Sequence, residues 1–145
     1  MGGLRLLIAH SDESLLDTCQ GFFGDHGFET EVATNALECL TTLHEFQPDV
    51  LLLHRELLWG GGDGVIAHLR DETVQTVPAA VLLLVDDRLE PVAPLVVPPV
   101  HAAVRLPVDP STMLDAVLST LLEVVLRPAS IPAAAQTQCK ETLYA

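Results

Sequence analysis

Two uninterrupted aliphatic stretches limit the folds open to this chain: Val50 to Leu53 (VLLL), and the apolar run from Val77 to Val85. A run of large aliphatics without polar alternation reads as a strand covered on both faces, the situation of a parallel sheet. Leu4 to Ala9 (LRLLIA) is a short apolar run that stops at His10-Ser11-Asp12, a polar turn able to cap a helix. Between such runs lie segments of helical period. Leu15, Leu16, Cys19, Phe22 and Phe23 form one apolar face, ended by Gly24 and Gly27. Thr34 or Asn35 caps a second helix, with Leu37, Leu40 and Leu43 on one side and Glu38 placed as a capping box requires.

Further along, Phe28 to Val32 suits an edge strand and Ala102 to Leu106 a weaker one. The glycine-rich stretch Trp59 to Gly64 reads as a loop before a short helix near Val65 to Arg70. Asp109-Pro110 sets the start of a last helix with Leu114, Val117, Leu118, Leu121, Leu122 and Val125 on its apolar side. Residues 1–127 are expected to form one domain. Residues 128–145, rich in Ala, Pro, Gln and Thr, are expected to form a flexible tail. Strands alternating with helices predict an α/β fold, a parallel sheet with helices on both faces.

Composition narrows the function classes. Seven Lys and Arg against twenty Asp and Glu give a net charge of −13, and aromatic residues make up 4%. Such a chain repels phosphate backbones and anionic membranes and lacks stacking platforms for bases, so neither nucleic acid nor membrane is an expected partner. The 145 residues suffice for one core. Cys19, Cys39 and Cys139 match no redox or zinc spacing, and no apolar run reaches the ~20 residues of a membrane span. A cytoplasmic location is the expectation.

The stretches LRLLIAHSDESLL, HGFETEVATNALECL, QPDVLLLH, DGVIAHLR, VPAAVLLL and RLPVDPSTML together resemble a response-regulator receiver domain over residues 4–126. The resemblance implies a flavodoxin-like (CheY-like) doubly wound sheet of five parallel strands in the order 2-1-3-4-5, with a crevice at the carboxyl ends of strands 1 and 3. It also implies which positions should carry phosphoryl chemistry, and all of them depart from the pattern. The acidic pair after strand 1 reads His10 and Ser11; the phospho-accepting aspartate closing strand 3 reads His54. The hydroxyl position after strand 4 falls at Leu83 or Leu84, and the lysine before the strand-5 proline at Leu106. Mg²⁺ prefers hard oxygen ligands, and phosphoryl transfer needs that metal, a charge-offsetting cation and a carboxylate nucleophile. A crevice without them is expected to be vestigial: no catalysis, no cofactor, no phosphorylation. Asp12 and Glu13 are read as cap residues of the first helix.

Two further features carry readings of their own. His10 and His54 would sit on adjacent strand ends, where a transition-metal site with help from His101, Asp12 or Glu56 stands against histidines that merely fill space. The segment Asp86 to Pro99 holds Pro91, Pro94, Pro98 and Pro99 where a receiver has its fourth helix, so that helix is expected to be shortened or missing. Leu89 and the apolar residues Val92, Leu95, Val96, Val97 and Val100 then either cover the sheet or, with Trp59, form an interaction surface for a protein partner or a second copy. The functional expectation is a phosphorylation-independent regulatory module acting by protein–protein contact, with homodimerisation as one form. A small metal-binding protein using His10 and His54 is the alternative.

Overall fold

A computed structural model describes residues 3–57, 61–71, 77–86 and 99–126. Its strands are β1 (Arg5–Ala9), β2 (Glu29–Ala33), β3 (Val50–His54), β4 (Ala80–Asp86) and β5 (Ala102–Leu106). Its helices are α1 (Glu13–Asp25), α2 (Ala36–Phe46), α3 (Gly61–Leu69) and α4 (Pro110–Leu126). All strand pairs are parallel and the order is β2-β1-β3-β4-β5, as expected.

Position in the sheet explains the strand sequences. β3 is buried at every residue and β4 at all but its last, because both lie inside the sheet with helices on either face. Successive side chains go to opposite layers. Leu7, Leu51, Leu53, Val81 and Leu83 join α2 and α3 through Cys39, Leu43, Val65 and Ile66. Leu6, Ile8, Leu52, Leu82 and Leu84 join α1 and α4 through Leu16, Cys19, Phe23, Met113 and Val117. The edge strands β2 and β5 are only partly buried, which fits their mixed composition. Burial pushes the Cys39 thiol up to about 12 and raises that of Cys19, so both act as small apolar core residues.

Helix ends follow local chemistry. The Asp12 carboxylate accepts the Ser14 and Leu15 amides at 2.9 and 3.4 Å and caps α1. Asn35 caps α2 by accepting the Glu38 amide at 2.8 Å, while the Glu38 carboxylate turns back to the Thr34 amide at 2.7 Å. Gln47 closes α2 in the left-handed region with φ 53°, directly before Pro48. Pro110 heads α4, and the Asp109 carboxylate receives the hydroxyls of Ser111 and Thr112, which hold it below the usual carboxylate range.

Several expectations need correction. The glycine-rich stretch is helical from Gly61 onward rather than a loop as far as Gly64. Gly24 lies within α1, and Gly27, with φ 91°, makes the turn after it. On α2 the buried side is Ala36, Cys39 and Leu43, leaving Leu37 61% exposed. On α4 it is Met113, Val117 and Thr120, leaving Leu118 and Leu122 49% and 59% exposed. Val100, expected on an interaction surface, is 4% exposed and packs beside Val81 and Val85, because the chain entering β5 lays it over the sheet. The shortened fourth helix, Trp59, Leu89, Val92, Leu95, Val96, Val97 and the tail 128–145 lie outside the described residues. Among the described residues no helix is long and apolar enough to cross a membrane.

Candidate functional site

β1 and β3 are adjacent and in register, with Ala9 opposite Leu53. The next residues, His10 and His54, therefore leave neighbouring strand ends together. Their rings stack, with centroids 3.9 Å apart and planes 22° from parallel. On the other flank of β3, His54 is in register with Leu84. Asp86, two residues further and thus on the same face, places Oδ1 3.0 Å from His54 Nε2.

Hydrogen bonding fixes the protons of this cluster. The Asp12 amide donates to His10 Nδ1 at 2.9 Å, and an amide N–H can only donate, so that ring nitrogen is an unprotonated acceptor. A carboxylate only accepts, so His54 donates to Asp86 from Nε2. His54 Nδ1 is left buried without a partner, as is Ser11 Oγ. Burial is the main cause holding the His10 pKa below its ordinary value; the neighbouring His54 adds to it, while Asp12 and Asp86 oppose it. Beside the stack opens a cavity of about 460 Å³ lined by His10, Asp12, Leu15, Asp86, Leu106, Pro107 and Val108.

At the carboxyl ends of β1 and β3, where the resemblance implies a crevice, His10 and His54 meet and His10 lines the cavity; Ser11 is not among the residues that line it. Leu106 lines its wall, followed by a cis bond to Pro107. Leu83 does not belong to it: its side chain is buried in the opposite layer, with Leu53 and Val81. Leu84 is buried beneath the crevice in the α1/α4 layer. The residue that β4 contributes to the crevice is Asp86, which the sequence reading missed by ending the strand at Val85. The sequence alone carried no signal for it, because its face is fixed only by the register that sets Leu84 opposite His54.

The residues do not suit a metal ion. Mg²⁺ would meet two imidazoles and a hydroxyl at the strand ends, while Asp12 is engaged in capping α1 and Asp86 in holding His54. The transition-metal alternative finds no support either: His10 Nε2 and His54 Nδ1 would be the nitrogens left to ligate, and the two rings lie stacked, 22° from parallel, so their in-plane lone pairs do not converge on one ion. His101, offered as a third ligand, sits before β5, where its Nδ1 accepts the Val81 amide at 3.0 Å near the opposite end of the sheet. Among the described residues no group of three or more His, Cys, Asp and Glu is placed to hold an ion.

Solved structures share this architecture. The chain is similar to the chemotaxis response regulator CheY4 of Vibrio cholerae, with TM-score 0.70 and 18% identity over 81% of this chain and 98% of that one. It is similar to a CheY-like response regulator receiver domain protein from Methanospirillum hungatei, with TM-score 0.69 and 21% identity over 83% and 95%. It also matches NtrX from Brucella abortus with TM-score 0.74 and 16% identity, covering 87% of this chain but 28% of that longer protein. No family model and no curated protein matches the sequence. The chain has the fold of response-regulator receiver domains, with a histidine pair at the carboxyl edge of its sheet.

Proposed function

We propose that the chain is a phosphorylation-independent regulatory module of receiver fold that acts by binding protein. The observation that carries this reading is His54. At the end of β3, where the resemblance implies the phospho-accepting carboxylate, stands an imidazole closed between His10 and Asp86. The carboxylates that line the crevice are engaged, Asp12 in capping α1 and Asp86 in holding His54, and among the described residues no lysine stands beside them, so the crevice offers neither a free nucleophile nor charge compensation for phosphoryl transfer. It therefore catalyses nothing and needs no cofactor.

Incubating the purified chain with Mg²⁺ and a small phosphodonor is expected to leave its intact mass unchanged. Stoichiometric Mg²⁺-dependent labelling at any crevice residue would overturn the reading.

What remains for such a fold is contact. Leu118 and Leu122, one helical turn apart on α4, expose apolar surface beside Asp115. The net charge of −13 favours a partner with a basic patch. A second copy is the simplest partner to test, by light scattering behind size exclusion over a hundredfold dilution. A dimer that Leu118→Asp with Leu122→Asp splits supports self-association through α4. A mass of 15.6 kDa throughout overturns homodimerisation and leaves a different protein as the partner.

A further inference from the structure

We infer that the histidine pair is a proton-operated latch on the β1–α1 turn: with His10 neutral the turn is held, and with His10 protonated it is released. The latch is independent of which partner the chain binds.

The argument starts from Nδ1 of His10. Its lone pair is the acceptor for the Asp12 amide, and the same residue's carboxylate caps α1 through the Ser14 and Leu15 amides. A neutral ring with Nδ1 as acceptor carries its proton on Nε2, so an incoming proton from solvent must go to Nδ1. The result is an N–H facing an N–H. The amide loses its acceptor, and the ring is driven away from the turn it was holding.

His54 sharpens the response. Its ring lies 3.9 Å from that of His10, and its Nδ1 is buried without a partner. Two charged imidazoles cannot share the stack, so release of His10 is the available answer to acid. Among the described residues the groups facing His10 are few. Asp12 comes from the turn, His54 from β3 and Asp86 from β4, while Leu15, Leu106, Pro107 and Val108 complete the wall without charge.

The sign follows from linkage. His10 in the folded chain holds its proton less firmly than an ordinary histidine, so below about pH 6.5 the unfolded chain binds more protons. Stability conferred by the latch is present above that pH and is lost as the pH falls through this window towards the folded value.

The test is an NMR titration of the full chain from pH 8 to pH 5, about the range in which histidines change charge, following the histidine ring protons and the backbone amides. The His10 ring is expected to titrate below the ordinary histidine value of 6.5, and the Asp12 amide to shift with the same midpoint. Exchange of the Ser14 and Leu15 amides, corrected for its intrinsic pH dependence, should rise at least roughly tenfold across that midpoint, the change that 1.4 kcal/mol of lost protection produces. His10→Asn offers an uncharged acceptor for the Asp12 amide and should abolish the shift. Should that variant not fold, His54→Gln serves instead and should move the His10 midpoint upward. A His10 ring that titrates at or above the ordinary histidine value, an Asp12 amide indifferent to His10, or a His10 midpoint unmoved by His54→Gln overturns the latch.

Discussion

Phe23→Ala is expected to destabilise the chain by about 3–5 kcal/mol, the range for deleting a fully buried aromatic side chain. Phe23 has no exposed surface and occupies the layer between α1 and the sheet with Leu6, Ile8, Cys19 and Val50. Its ring meets Phe22 and Phe28 edge to face at 5.6 and 5.5 Å, so its loss removes two aromatic contacts as well as burial. Its carbonyl accepts the His26 and Phe28 amides that turn the chain from α1 into β2, so the ring is anchored where the backbone reverses. A domain of this size has about 5–15 kcal/mol in total. Thermal unfolding followed by circular dichroism should show the midpoint falling by about 10–20 °C. Phe22→Ala, at a half-buried position, should cost clearly less; equal losses would mean that the two rings share the burial evenly, against the structure.

The sheet was legible in the sequence because parallel strands buried on both faces leave unbroken aliphatic runs, and Val50–Leu53 and Ala80–Val85 are such runs. Helix faces were less legible. α4 carries apolar side chains at positions 113, 114, 117, 118, 121 and 122, an arc too broad for periodicity to say which edge turns inward. Packing decided for Met113, Val117 and Thr120. The threonine is tolerated inside because its hydroxyl donates to the Ala116 carbonyl at 2.8 Å. On α2 the small side chains Ala36 and Cys39 face the sheet closely and Leu37 is left outside.

The site was half legible for a related reason. His10 and His54 announce themselves as polar residues closing apolar strands, and adjacency of β1 and β3 brings them together. Asp86 depends on register, since one residue of slip would send it to the other face of the sheet. Nothing in the sequence distinguishes Asp86 from Asp87 until β4 is paired with β3. The stacking, the acceptor role of His10 Nδ1 and the orphaned His54 Nδ1 are matters of ångströms and follow from the turn geometry alone.

Two glycines of α3 should respond in opposite directions to the same change. A methyl group on Gly62 would lie 2.7 Å from the His54 carbonyl oxygen and 2.9 Å from the Arg55 Cα, both backbone atoms that cannot step aside without moving the end of β3. The Gly62 amide, moreover, donates to the Arg55 carbonyl at 2.9 Å, so helix and strand end are tied at this point. Gly62→Ala should therefore cost about 1–3 kcal/mol by overpacking. It should also shift the His54 ring signal, because the displaced segment carries that ring. Gly64, two residues on, is exposed and has nothing within 4 Å of where a Cβ would stand. There alanine meets no obstacle and removes only the freedom that glycine has in the unfolded chain, so Gly64→Ala should stabilise by about 0.4–1 kcal/mol. Urea titrations of the two variants measure both effects against a common reference. If both substitutions proved harmless, α3 would not be seated against the β3 terminus, and the glycine-rich stretch would be a loop after all. If Gly62→Ala alone unfolds early and perturbs His54, the glycine exists to let helix and strand approach, and the position of the histidine stack depends on it.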